Sequence, residues 1–365
     1  MKLKWMISLL FILVTFAIIF EGELGTSFFS SQEYPPNLLA TNGLYCQNDH
    51  LLPRLFILGC MKCSTATLYD DLLLFGEEAI QSGGTFLKPR GIKEKHFFDI
   101  GFDKGIDYYS KSFVKCSSKK NQTTSKFISV DATPGYIRHP STPLHLTSAY
   151  SPEMIKKSLF VVVLRDPTSR LFSQFNHDKI HHKHSMNIST FESYFNRQLS
   201  AYQRCQNKQM DENTYSNCYR GSISPLMGGM YDDQLLNWIS RAGVPSSSFL
   251  ILSFKHYTSS GQARLQVLER IFQKLGYHSL SNNIKTKMKK MGKGHVRRPP
   301  NKKSSQKSHD FMNSEIKHQV DEFYSEHKNK TIQIIQNYRI DSIPPLYEGN
   351  YNINSGDDQI SSDFW

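Results

Sequence analysis

Two stretches of the chain combine residue types that bind phosphate. In Leu55-Phe-Ile-Leu-Gly-Cys-Met-Lys-Cys-Ser-Thr-Ala-Thr-Leu68, Lys62 and the hydroxyls of Ser64, Thr65 and Thr67 sit among small residues, between an apolar run and a helical one. A small-residue loop that opens a helix aims backbone N–H groups and the positive end of the helix dipole at one point, which makes a phosphate cradle. Gly59, Lys62, Cys63, Ser64, Thr65, Ala66 and Thr67 are its candidate contacts. In the triphosphate loop G-x-x-x-x-G-K-[ST] the lysine follows the small residues. Here Lys62 precedes Ser64 and Thr65, an order that suits a nucleotide with a single 5′ phosphate rather than a triphosphate with Mg²⁺. A plain tight turn with a surface lysine would read the same, and that alternative stays open.

The second stretch is Val161-Val-Val-Leu-Arg-Asp-Pro-Thr-Ser-Arg-Leu-Phe-Ser-Gln-Phe175. An apolar strand delivers Arg165 at its carboxyl end, where α/β sheets bind ligands. Pro167 starts a helix, and Ser173 lies about two turns in. Arg165 and Ser173 are therefore candidates for a second phosphate, arginine being suited to bidentate contact. Arg170 can instead pair structurally with Asp166. Elsewhere, Glu94 between Lys93 and Lys95 reads by itself as a solvated charge. His177 and His181 have the spacing of a zinc-binding helix, but that motif needs Glu directly after the first His, where Asp178 stands. They read as a polar helix face, and no metal site is expected.

The elements that must position these residues alternate. Leu55–Leu58, Lys126–Val130, Leu159–Leu164 and Phe249–Leu252 read as short buried strands. Thr65–Phe75, a segment from Pro167, Tyr231–Ile239, Ala263–Leu275 and Glu315–Tyr338 read as helices. Strands separated by helices predict an α/β fold, a central parallel sheet flanked by helices. Lys285–Lys307 is a loop with ten Lys or Arg residues, a solvated stretch or the wall of a groove for a polyanion.

The chain has 44 Lys and Arg against 32 Asp and Glu, an excess of +12 that favours an anionic partner. Compartment narrows which one. Lys2 and Lys4 precede the apolar run Trp5–Phe20, and Glu21 and Glu23 follow it. A spanning helix needs about 20 residues, and thin early-secretory membranes accept somewhat fewer. The flanking charges put the N-terminus in the cytosol. A cleaved signal peptide is the alternative, though no small-x-small site follows Phe20. The expected division is a cytosolic tail over 1–4, an anchor over 5–21, a stem over 22–50, a folded domain over 51–341 and a polar, loosely ordered tail over 342–365. Sequons at Asn121, Asn187 and Asn329 and six cysteines suit a lumenal body, which argues against nucleic acid as the partner. Cys205 and Cys218 close a short polar loop and are the first expected disulfide; Cys46 with Cys116 is a second, open pairing.

The two phosphate-type motifs, in this order, resemble the 5′- and 3′-phosphate loops of the sulfotransferase family. The resemblance runs from about Leu55 to Tyr338. Lys93-Glu-Lys-His-Phe-Phe-Asp99, Gly228-Gly-Met-Tyr231 with Trp238, and Lys293-Gly-His-Val-Arg-Arg-Pro299 resemble segments of its Golgi glycosaminoglycan branch. Lys62-Cys63 with Leu68-Tyr-Asp-Asp-Leu72 is most similar to the enzyme that adds 6-sulfate to 4-sulfated N-acetylgalactosamine, with the heparan glucosaminyl sulfotransferases nearly as similar. The resemblance implies the fold of that family, akin to P-loop nucleotide kinases, and 3′-phosphoadenosine 5′-phosphosulfate (PAPS) as donor. It implies an anionic polysaccharide as acceptor and a single-pass type II place in the Golgi membrane. It assigns Lys62 to neutralising the leaving phosphate, Glu94 to taking the acceptor's proton and His96 to orienting the acceptor or polarising the sulfate. Lys293, Gly294, His295 and Arg297 would close over the donor. Two departures stand out: Cys63 and Ser64 occupy positions that are usually Gly, and Ala132 stands where many heparan enzymes have lysine. An inactive lumenal glycan-binding protein on the same fold is the alternative reading.

Overall fold

A computed structural model describes residues 43–75, 80–82, 93–116, 128–181, 190–206, 224–277, 285–286, 312–346 and 364–365, all within one compact unit. The strands are β1 (Cys46–Gln47), β2 (His50–Leu51), β3 (Pro53–Gly59), β4 (Ile80–Ser82), β5 (Ile128–Asp131), β6 (Leu159–Leu164), β7 (Phe249–Ser253) and β8 (Asp341–Ile343). The helices used below are α1 (Thr65–Phe75), α2 (Pro167–His181), α3 (Phe191–Gln206), α4 (Tyr231–Leu236), α5 (Phe254–Ser259), α6 (Gly261–Lys274) and α7 (Ser314–Asn337).

Six strands form one sheet in the order β4-β5-β3-β6-β7-β8, and every pairing in it is parallel. The continuous apolar run Leu159–Leu164 is buried along its whole length, as a central strand covered on both faces must be. From β3 the chain moves towards β4, and from β6 it moves the other way, towards β7. The crevice at the carboxyl ends of β3 and β6 is thus the switch point at which open α/β sheets bind ligands. The turn after β3 opens α1, and the turn after β6 opens α2. A second apolar cluster, with Leu171 and Phe175 of α2, Tyr194 and Phe195 of α3 and Val320 and Tyr324 of α7, holds α2 in place.

The folded body reaches further than the sequence predicts at both ends. Tyr45 is buried, its hydroxyl donating to the carbonyl of Met154 (2.7 Å). Cys46 is joined to Cys116. Residues 43–50 therefore belong to the domain rather than to a stem. The expected loose tail likewise supplies Ser342 and Ile343 of the edge strand β8 and buried Leu346 and Phe364. Short strands with mixed polarity and isolated aromatics carry no periodic signal, which is why both extensions are silent in the sequence. Among the described residues no helix is long and apolar enough to cross a membrane; the expected anchor over 5–21 lies outside them.

Candidate active site

β3 ends at Gly59, and a Cβ there would lie 2.3 Å from Cγ2 of Ile137. Gly59 is needed for the close packing of the segment after β5, a role separate from ligand contact. The turn that follows places Lys62 and Ser64 in the left-handed region, at φ 68° and 60°. Only glycine adopts that region without cost, which accounts for glycine at Ser64's position in the resembling loops. Cys63 is fully buried and bonded to Cys60. Its N–H donates to the carbonyl of Cys60 (3.3 Å). Of the predicted contacts, Cys63 is thus part of the loop's own scaffold. The carbonyl of Ser64 accepts from the N–H of Leu68 (3.0 Å), so Ser64 caps α1. The N–H groups of Thr65, Ala66 and Thr67 are then the helix's open first-turn donors. Thr65 and Thr67 have buried side chains, and Ala66 is half-buried.

Arg165, one residue past β6, donates from Nη1 to the carbonyl of Lys62 (3.0 Å). Its guanidinium lies 4.6 Å from the ring centre of Phe254. The two phosphate-type loops are thereby tied together. Burial pulls the pKa of Lys62 down; the charge of Arg165 adds to the fall, and Asp178 and Glu94 oppose it. Burial likewise lowers Arg165. Neither cation has a salt-bridge partner among the described residues. Ser173 is half-buried on the second turn of α2.

Glu94 and His96 sit on a loop pinned from below. The carboxylate of Asp131, at the end of β5, is buried and accepts from Tyr109 (2.6 Å), Thr133 (2.7 Å) and Tyr136 (3.0 Å). Thr133 Oγ1 accepts from the N–H of Lys95 (3.0 Å). The Tyr136 oxygen accepts from the N–H groups of Phe97 (3.0 Å) and Phe98 (3.3 Å). Phe97 and Phe98 are buried, Phe97 stacked on Tyr109 at 4.4 Å. With the aromatic pair anchored, Glu94 and His96 are left facing solvent, both with positive φ (68° and 50°). Such a cluster of strained backbone is found at functional sites.

His96 lies between two carboxylates. Nδ1 meets Asp99 Oδ2 at 2.8 Å, and Nε2 is 3.4 Å from Glu94 Oε2. The bond to Asp99, then that to Glu94, raises its pKa to about 10. The same contact with His96, opposed by burial and aided by Lys93, lowers Glu94. At neutral pH the loop therefore offers an imidazolium donor beside an ionised carboxylate, which is a proton acceptor by charge state.

The structure thus links Lys62 to Arg165 by a hydrogen bond, Lys62 to Glu94 by charge, and Glu94 to His96 by contact. Lys293, Gly294, His295 and Arg297 lie outside the described residues, as do Asn121, Asn187 and Cys218. Cys205, on α3, is disulfide-bonded. Asn329 is exposed on α7, a helix rather than the surface loop a sequon usually marks, and Thr331 beside it is buried. Asp178 turns inward, accepting from Gln174 (2.7 Å) and Tyr194 (2.8 Å), with Nδ1 of the neighbouring His177 3.4 Å from its carboxylate. Residue-by-residue reading misses Asp99, whose signal was its place three residues after His96. It also gives no site role to Asp131, Tyr231 and Phe254, which act on the site through other residues, although Tyr231 lies in one of the resembling segments.

Comparison with known proteins follows the same line. The chain is 31% identical over 147 residues to the membrane-associated sulfotransferase kil1 of Dictyostelium discoideum, covering 40% of this chain and 26% of that one. It is 23% identical over 280 residues to human carbohydrate sulfotransferase 15, covering 68% and 48%. It is 27% identical over 143 residues to human heparan sulfate glucosamine 3-O-sulfotransferase 3A1, covering 39% and 29%. The chain is similar to the carbohydrate sulfotransferases. It spans from about a quarter to about a half of the length of these relatives. No protein-family model matches. Among solved structures, a sulfotransferase from Alicyclobacillus acidocaldarius aligns at a TM-score of 0.48 and 17% identity, over 79% of this chain and 98% of that one.

Proposed function

We propose that this sulfotransferase-like chain moves a sulfuryl group from PAPS to a hydroxyl or amine of a glycosaminoglycan-like polysaccharide. The observation that carries the reading is the pair of part-buried cations, Lys62 and Arg165, that converge at the sheet's switch point with no salt bridge to a carboxylate among the described residues. Part-buried charges with no salt bridge to offset them are costly, and an anionic ligand offsets that cost. The residues fit a nucleotide with phosphates at both ends. Lys62 and the first turn of α1 would hold the 5′ side, and Arg165 with Ser173 the 3′ side. When bound, the donor supplies an activated sulfuryl group on a good leaving phosphate.

The chain's residues then have distinct tasks. Lys62 sets positive charge where the leaving phosphate gains negative charge, the kind of preorganised stabilisation that dominates transfers of this type. Glu94 takes the proton from the acceptor, and Asp99 holds His96 as a cationic donor that orients the acceptor oxygen. The loop departures are compatible with turnover: Cys63 is folded back into the scaffold and Ser64 takes the required backbone conformation. That speaks for an enzyme over an inactive glycan-binding protein.

The proposed setting is the Golgi lumen, the chain held by a type II anchor over 5–21, with glycans at the sequons. The basic-then-apolar start of the chain and the disulfides among the described residues support an oxidising compartment. The test offers the purified protein radiolabelled PAPS with desulfated heparan, chondroitin and dermatan in parallel, then digests labelled product to disaccharides. Label confined to one disaccharide type supports the reading and names the acceptor. Absence of label on every glycan, with the donor nucleotide still protecting the protein against heat, favours the inactive binding protein.

A further inference from the structure

Phe364 and Trp365, in the stretch expected to be a loose tail, are packed at the carboxyl ends of the strands that carry the site. Phe364 is buried, and its carbonyl accepts from Ser253 Oγ at 2.5 Å. Ser253 is the last residue of β7 and pairs in register with Leu164 of β6. The next residue, Phe254, is the one whose ring lies against the guanidinium of Arg165. The Trp365 ring lies parallel to that of Tyr231, at 5.8 Å and 13°. The ammonium of Lys328 stands 5.9 Å from the Trp365 ring centre and 3.4 Å from Asp166, whose carboxylate also accepts from the N–H of Ser169.

Tyr231 is the member that links this packing to chemistry. Its hydroxyl donates to the carbonyl of Arg165 (2.9 Å) and lies 3.3 Å from Cys60 Sγ. One oxygen thus touches the start of the Lys62 loop and the end of β6 together. We infer that Trp365 is a positioning residue of the donor site, its ring holding Tyr231 so that the Lys62 and Arg165 loops keep the spacing a nucleotide with two phosphates requires. The inference rests on the donor-nucleotide reading above. Trp365 Nε1 is buried without a hydrogen-bond partner, so a phenyl ring there would keep the stack and shed an unsatisfied donor.

The test compares the wild-type chain with Trp365→Ala and Trp365→Phe. The probes are the binding of 3′-phosphoadenosine 5′-phosphate by calorimetry and steady-state transfer with PAPS varied. Loss of the stack is expected to weaken nucleotide binding and raise the donor KM about five- to tenfold in Trp365→Ala, with kcat within about twofold. Trp365→Phe restores both to within about twofold and melts no lower than wild type. Unchanged binding and KM in Trp365→Ala overturn the inference. So does a Phe variant as weak as the Ala variant, or a loss of kcat that tracks a fall in melting temperature. A wild type that fails to bind the nucleotide at all rejects the donor reading itself, and the inference with it.

Discussion

At the scale of single residues, charge state decides which group does what. Glu94 and His96 are adjacent in the crevice, and a histidine is the commoner proton acceptor at neutral pH. Here Asp99 and Glu94 hold His96 as imidazolium, its pKa up at about 10, while Glu94 is lowered. The carboxylate is therefore the free base. Glu94→Gln is expected to lose about 10²–10⁴ in kcat while keeping donor affinity, measured by single-turnover transfer and nucleotide calorimetry. The pH dependence follows from the same contacts. A group raised in the fold keeps its charge from below its ordinary pKa up to the raised value. The His96 contacts therefore contribute fully below about pH 6.5 and are lost as pH rises through about 10. The wild-type rate is expected to show no histidine limb between pH 6 and 8, a window set by the ordinary value near 6.5. Asp99→Asn removes the larger of the two causes, and a new limb should move down towards neutrality. An identical pH profile in that variant would separate His96 from the reaction.

Elements, rather than side chains, explain why these residues meet. The Lys62 loop exists because β3 must turn into α1, and Arg165 lies where it does because β6 ends beside β3. That much was legible in the sequence. Leu159–Leu164 is a continuous β-branched and aromatic run, and Thr65–Phe75 follows small residues that end a strand. The Glu94 loop was legible only by resemblance. It has no regular structure, and Glu94 alone among lysines looks solvated. Its support is Asp131, whose side chain holds three hydroxyls, two of which, Thr133 and Tyr136, in turn hold the loop's backbone. Sequence patterns report faces of helices and strands, and they are blind to such long-range hydrogen bonds. Asp131→Ala leaves buried Tyr109 and Tyr136 hydroxyls without their acceptor, at a cost on the order of 3 kcal/mol. The expected outcome is a lower urea midpoint together with a loss of kcat larger than the loss of donor affinity. Equal losses would mean that the carboxylate serves the fold as a whole.

For the whole molecule, disulfides and the edges of the sheet set what counts as the domain. The Cys46–Cys116 bond spans 70 residues and ties the segment before the sheet to the region that carries Tyr109 and Phe113. The sequence left this pairing open because cysteine spacing does not fix connectivity. Cys46→Ala with Cys116→Ala is expected to cost about 2–4 kcal/mol, read as a shift in denaturant midpoint. Donor binding should survive below that midpoint. The edge strand β8 and the Phe364–Trp365 contact were illegible for a different reason. Both are short, and each is stable only because of what it packs against.

The claim on which the rest depends is that Lys62 faces the leaving phosphate of a sulfuryl donor. The measurement that tests it most directly is transfer of label from PAPS to polysaccharide by wild type and Lys62→Ala, at saturating donor and matched thermal stability. The account predicts transfer by the wild type and a fall in kcat of at least about 10²-fold in the variant. Transfer by Lys62→Ala at the wild-type rate would contradict it.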